Sequence, residues 1–247
     1  MQYLVFRLYG AMASWGDAAV GNVRPSRSHP GRSAIIGLLA SALGIRREQQ
    51  TQLDKLAQAI TIAVKEYREG DLLSDYHTAQ VPSEDKSRSH RHRKSELSGA
   101  NHTLNTVLSS REYRCDGVWS VAIAINNSQF YCLEKLSDAL RQPKFTLYLG
   151  RKSCPLSAPL LPQIIEVDTL REALDHQFPR LLADFEREEY WLRGSEHTVY
   201  YWQGGIEQME SDGGIIQSRQ VWDDPGHRQK WQFSPRIEHQ LILRKER

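Results

Sequence analysis

Three short stretches combine guanidinium or ammonium groups with aromatic rings or glycine, a chemistry suited to gripping a nucleic-acid strand. The first runs from Ser14-Trp15-Gly16 through Arg24, Pro25, Arg27 and Arg32. Arginine forks onto phosphate and stacks on bases, an aromatic face is worth ~1–3 kcal/mol per stacked base, and a helix starting near Ser33 would aim unpaired N–H groups at an anion. A buried Trp15 with its arginines in surface ion pairs is the competing reading. The second stretch is Tyr148-Leu149-Gly150-Arg151-Lys152-Ser153-Cys154-Pro155. There Gly150 lets backbone approach a ligand while Arg151 and Lys152 grip phosphates, although an ordinary turn has the same composition. The third is the basic run Lys86, Arg88, Arg91, Arg93 and Lys94. It reads either as an arm lying along a nucleic-acid backbone or as a solvated loop.

Bond-breaking chemistry has thinner support. His90 and His92 sit among those five cations, which depress imidazole pKa values and repel a divalent metal. Cys115, Cys132 and Cys154 are odd in number and form no CxxC pair, so neither a disulfide framework nor a zinc site is suggested, and no cofactor is expected. Neither HExxH nor GxSxG occurs. Metal-independent RNA cleavage needs a base for the 2′-hydroxyl proton and a cation for the phosphorane charge. Tyr76-His77 and His29 supply candidate bases. An RNA-contacting role for His77 and a solvated loop position for His29 are the readings preferred over catalysis.

At 247 residues the chain can bury one elaborated core, and 40% hydrophobic with 25% charged residues separates it from disordered sequences. The formal net charge of +2 does not by itself imply a polyanion partner, but the charge is uneven. Residues 1–47 carry six arginines against the single acid Asp17, whereas residues 166–190 hold eight acids against three arginines and residues 206–224 five against one. Gathered on one face, the basic segments would attract nucleic acid; a mixed solvated surface is the alternative. No apolar run approaches the about 20 residues of a membrane span, and the N-terminus lacks a signal peptide's basic start, so a cytoplasmic protein is expected.

These residues need elements to place them. Tyr3 to Tyr9 is a β-branched and aromatic run of strand length, and Ser33 to Leu43 has helical spacing with Ser33 as N-cap and Gly44 just past its end. Leu53 to Ile60 predicts a second short helix, and Thr61 to Tyr67 alternates like a strand. Residues 80–110 hold almost no large apolar side chain, so they project outward between two strands. Cys132 to Leu140 is expected to be helical, as are Leu170 to Leu174 and Leu181 to Glu188, with strands at Thr198 to Trp202 and Ile237 to Leu243 and loops between. Strands mixed with a few helices give an α+β class, for which a ferredoxin-like sheet is the expected form. No RNP1-like run supports a standard RRM, and an OB-fold stays open.

Several motifs carry a more specific likeness: Met12-Ala13-Ser14-Trp15-Gly16, Arg24-Pro25-Ser26, Gly31-Arg32-Ser33 with Ile36-Gly37-Leu38-Leu39, Leu43-Gly44-Ile45, Asp75-Tyr76-His77-Thr78, Arg111-Glu112-Tyr113 with Cys115-Asp116, and Tyr148 to Leu156. In order and spacing they resemble the CRISPR-associated protein 5 family, in the CasD form of the type I-E Cascade complex, over about residues 1–162. The resemblance implies a RAMP-type ferredoxin-like (RRM-like) core in residues 1–162, with a projecting β-hairpin thumb at about 80–110. Residues 163–247 are expected as a β-rich C-terminal extension packing on that core. It also implies a non-catalytic subunit that binds the 5′ handle of CRISPR RNA, caps the filament of backbone subunit CasC, meets the large subunit CasA and reaches target DNA only through the assembled complex. Its thumb would help kink the guide–target duplex. With Trp15 from the first stretch, the residues expected near the handle are Arg24, Arg27, Arg32, His77, Arg111, Tyr113, Tyr148, Gly150, Arg151 and Lys152. A type I-C relative that cleaves precursor RNA is the enzymatic alternative.

Overall fold

The computed structural model describes residues 1–247 except 20, 83–88, 98–103, 127–128, 183–186, 189, 191–195, 228–229, 231 and 245–247. The chain begins with β1 (Gln2–Tyr9), β2 (Met12–Ala13), β3 (Trp15–Gly16), β4 (Val23–Arg24), β5 (Ser26–Arg27), α1 (Arg32–Leu43) and α2 (Gln50–Ala59). There follow β6 (Ile60–Arg68), β7 (Asp71–Pro82), α3 (Arg93–Leu97), β8 (Leu104–Cys115), β9 (Val118–Ile125) and α4 (Leu133–Arg141). The remainder supplies β10 (Gln163–Glu166), α5 (Leu170–Leu174), β11 (His197–Trp202), a 3-10 turn at Ile206–Gln208, β12 (Ile215–Pro225) and β13 (Phe233–Arg244).

β1 is buried on both faces because its alternate residues enter different cores. Leu4, Phe6 and Leu8 meet α1 and α4 residues such as Ile36, Leu39 and Leu136, while Tyr3 and Val5 join Leu170, Leu174, Tyr200 and Trp202 opposite. This two-sided burial explains why the strand reads as a continuous apolar run. α1 is apolar nearly all round for a similar reason, with Ile35, Ile36, Leu38, Leu39, Ala40 and Ala42 all buried. Its end is set by Gly44, which takes the left-handed conformation at φ 78° and returns its N–H to the Ala40 and Ser41 carbonyls. Its start differs from the expected serine cap. Gly31 is the N-cap without a side-chain bond, and the Arg32 N–H donates instead to the Asp223 carboxylate of β12 at 2.8 Å.

The main sheet has seven strands in the order β10-β1-β9-β6-β11-β13-β12, with every neighbouring pair antiparallel. Residues 163–247 join the sheet itself: β10 adds to one end, and β11, β13 and β12 continue it from β6. The cause is the backbone of β6, whose outer edge would stay unpaired without β11. The projecting segment is also wider than the expected 80–110. β7 and β8 pair without interruption from Asp71↔Cys115 to Pro82↔Leu104. Twelve paired positions span about 40 Å at a strand's rise per residue. Most of this hairpin is exposed, and α3 lies within the segment that connects its strands.

Candidate nucleic-acid interface

The base of the hairpin gathers the basic residues. β8 pairs with β2 and β7 and, in parallel, with β4, which sets Arg24 directly beside Arg111. On the other side Asp75 of β7 is registered with Arg111, and Leu73 with Tyr113. Strand alternation then puts Asp75, His77, Arg111 and Tyr113 on one face of the hairpin. His77 is exposed, with Nδ1 3.2 Å from an Asp75 carboxylate oxygen. Among the described residues the Arg111 guanidinium has no ion-pair or hydrogen-bond partner, and the Arg24 guanidinium bonds only the nearby Gly21 and Val23 carbonyls.

The Tyr148–Pro155 turn closes this site from a second direction. Its ends are bridged through Tyr148 and Pro155, and the Leu149 carbonyl accepts the Ser14 N–H at 3.0 Å. Gly150, at φ +83°, passes so close to Ser14 that a Cβ there would stand 1.9 Å from the Ser14 carbonyl oxygen. Glycine is thus required by both conformation and space. The turn delivers Arg151 over the Tyr113 ring, 5.0 Å from its centroid, with Nη2 donating to the Arg24 carbonyl at 3.3 Å. Arg151 Nη1 is buried without a partner. Tyr148 is half-buried in the turn, and Lys152 is exposed on it.

Three expected contacts have a different environment. Trp15 is 2% exposed and packs edge-on against Trp119 at 5.2 Å, so its indole underlies the site and offers no open stacking face. Arg32 is buried and committed to Asp224, Gln203 and the Ala57 and Ile60 carbonyls. Arg27 is drawn toward Asp17 at 3.3 Å and Asp223 at 3.5 Å. The anion position at the start of α1 is likewise filled by the protein's own Asp223. Of the basic thumb residues, Arg91, Arg93 and Lys94 are exposed, with Arg93 paired to Glu96 at 2.6 Å. Lys86 and Arg88 lie outside the described residues.

His29 is not a solvated loop residue. It is 1% exposed, stacks on Tyr201 at 3.5 Å and stands 3.4 Å from Glu238. Burial pushes its pKa down despite that carboxylate. Burial works to raise Glu238, but the nearby His29 imidazole and the guanidinium groups of Arg236 and Arg219 outweigh it and hold the carboxyl well below the usual range. Glu66, bonded by the Tyr201 hydroxyl at 3.2 Å, is pushed up by its burial. Arg236 ties Asp223 and Glu238 together at 2.5–2.9 Å, completing a buried network that fastens residues 26–32 to β12 and β13. None of these C-terminal partners stands out by motif. Their one sequence signal is charge complementarity, since Asp223 and Asp224 close the acidic stretch that answers the basic N-terminal region.

Among the described residues no group of three or more His, Cys, Asp or Glu side chains is arranged to hold a metal, and no helix is long and apolar enough to cross a membrane. Arg24, Arg111 and Arg151 thus lie together at the base of a long β-hairpin on a mixed α/β body. The chain belongs to the CRISPR-associated protein (Cas5) family, whose model matches residues 3–237. It is 33% identical to the CRISPR system Cascade subunit CasD of Escherichia coli (strain K12) over 180 residues, covering 70% of this chain and 75% of that protein. A chain of a solved CRISPR RNA-guided surveillance complex shares the fold with a TM-score of 0.63 and 22% identity, over 98% of this chain and 90% of its own length. A crystal structure of a Cas protein does so with a TM-score of 0.62 and 26% identity, over 98% and 95%.

Proposed function

We propose that the chain is a non-catalytic subunit of a type I-E CRISPR RNA-guided surveillance complex and holds the 5′ handle of the guide RNA on the surface formed by β4, β8 and the Tyr148–Pro155 turn. The observation that carries this reading is the register of Arg24 beside Arg111, with Arg151 bonded to the Arg24 carbonyl. Like charges placed directly across strands are destabilising, and an anion between them removes the penalty. Phosphate oxygens suit three guanidinium groups, and the Tyr113–Arg151 pair adds a stacking element at the same place. Strand order β10-β1-β9-β6, with α1 and α4 in the connections, supports a RAMP-type ferredoxin-like core. The β7–β8 hairpin has the length of an arm that crosses a guide–target duplex and helps kink it. In the same reading the subunit caps the filament of CasC backbone subunits and meets CasA, and works in the cytoplasm as part of antiviral defence.

Binding of handle RNA, compared with a scrambled RNA of equal composition at matched salt, tests the proposal. Tighter binding of the handle is expected, and equal affinity refutes handle recognition. One observation favours a second reading, RNA cleavage. His77 is bonded to Asp75 beside Arg111, which is the arrangement of an oriented base near a cation. Incubation with repeat RNA in EDTA separates the two. Site-specific products that vanish in His77→Ala would establish the nuclease, and intact RNA is the outcome expected here.

A further inference from the structure

Arg27 is held differently from Arg32 and Arg236, the cations that share its acidic partners' neighbourhood. Arg236 donates to Asp223 at 2.5 and 2.9 Å and Arg32 to Asp224 at 2.8 Å. Arg27 has only longer ion contacts, Nε to Asp17 at 3.3 Å and Nη1 to Asp223 at 3.5 Å, and Nη1 makes no hydrogen bond. Both carboxylates are engaged elsewhere. Asp17 Oδ1 accepts the Ala18 N–H at 2.8 Å, and Asp223 serves Arg236 and the Arg32 N–H. A guanidinium offers five donors, so most of Arg27's capacity is unused.

The two carboxylates also differ in freedom. The Asp223 side chain is 8% exposed within β12, whereas the Asp17 side chain is 48% exposed on a stretch without strand or helix. Asp17 is moreover the single acid among residues 1–47, and it stands on one of the six arginines there. Arg27 lies three positions beyond Arg24, within reach of the same strand of phosphates.

We propose that Asp17 is a built-in competitor for the RNA backbone: its carboxylate occupies Arg27 until a phosphate of the bound strand displaces it. Asp223 stays in place beside the buried Nη1, so the phosphate takes over the Nε side that Asp17 vacates. The contact shields a buried cation in the free protein and tempers its attraction for unrelated polyanions. This rests on the RNA-binding reading above and assigns Arg27 to it as a regulated contact.

The test is fluorescence anisotropy of the full chain with labelled handle RNA at low and moderate salt, using Asp17→Asn and, as a control for simple loss of negative charge, Glu48→Gln. Glu48 is comparably exposed and also stands near an arginine, Arg46 at 4.0 Å. Asp17→Asn is expected to bind roughly two- to five-fold tighter at low salt, the range set by an exposed ion pair, with the gain shrinking as salt rises. Glu48→Gln should match the wild type. In an Arg27→Gln background the gain from Asp17→Asn should disappear, since its target is gone; thermal unfolding verifies that this variant is folded, and Arg27→Lys replaces it if it is not, with the gain then reduced. An unchanged affinity in Asp17→Asn, a gain matched by Glu48→Gln, or a gain that survives in full without Arg27 overturns the proposal with either RNA. The handle-to-scrambled ratio of the wild type reports separately on handle recognition.

Discussion

Replacing Gly150 with alanine tests how the Tyr148–Pro155 turn is seated against Ser14. At φ +83° an L-residue meets the left-handed penalty of about 1–2 kcal/mol. The new Cβ would stand 1.9 Å from the Ser14 carbonyl oxygen and 2.8 Å from its carbon, both backbone atoms, so the turn must retreat by more than an ångström. Retreat stretches the adjacent Ser14 N–H to Leu149 carbonyl bond, now 3.0 Å, worth about 1 kcal/mol. Alanine's smaller unfolded-state entropy returns about 0.4–1 kcal/mol. The net loss is about 1–2.5 kcal/mol, or roughly 2–10 °C in a chain of this size. Urea and thermal unfolding measure it, with Gly16→Ala as the comparison, because a Cβ at Gly16 meets nothing within 4 Å. The same shift lifts Arg151 off Tyr113, so handle affinity should fall in Gly150→Ala and hold in Gly16→Ala. Equal stability of the two variants would refute this account of the turn.

Arg111→Ala should weaken handle binding and lower the slope of log K against log salt by about 0.7, the value for one phosphate contact on a single strand; an unchanged slope rules out a phosphate role. Arg32→Ala should cost about 3 kcal/mol in thermal unfolding, because it orphans Gln203 and two carbonyls, and Arg32→Lys should not restore it, since one ammonium cannot reach those separate acceptors. His29 gives a pH dependence with a definite sign. Its folded pKa lies below the unfolded value of about 6.5, so acidification protonates the unfolded chain first, and stability falls as pH drops through 6.5 by up to ~1.4 kcal/mol per unit. Glu66, raised by burial, opposes this at lower pH. Comparing urea midpoints at pH 7.5 and 5.5 for wild type and His29→Gln isolates the histidine, and an equal loss in both would dismiss it.

Local patterns are what the sequence makes legible. β1, α1 with its Gly44 ending, α4 and the outward-projecting polar segment all follow from neighbours within a dozen residues. β12 is a different case. Ile215 to Pro225 follows two glycines and reads as a loop, and its strand form comes from pairing with β13 across a bulge between Val221 and Asp224. At the interface, Arg24, Arg111, Tyr113, Gly150 and Arg151 are visible as residue types next to glycine or aromatics, and the structure brings them together. Trp15 and Arg32 carry the same local signature yet lie inward. Their fate depends on Trp119, Asp224 and Gln203, which no spacing rule connects to them.

The Asp223 carboxylate at the head of α1 lies 191 residues beyond the N–H it receives. During synthesis, at ~5–20 residues per second, the ribosome makes the arginine-bearing loop at least several seconds before the strand that fastens it. Throughout that interval Arg27 and Arg32 cannot take up their final partnerships, and α1 lacks its anionic cap. The nascent chain therefore carries an unanchored cationic segment in a compartment full of RNA. Fastening of this segment has to wait until β12 and β13 have been made, so the order of synthesis separates the folding of α1 from the arrival of the acid that caps it.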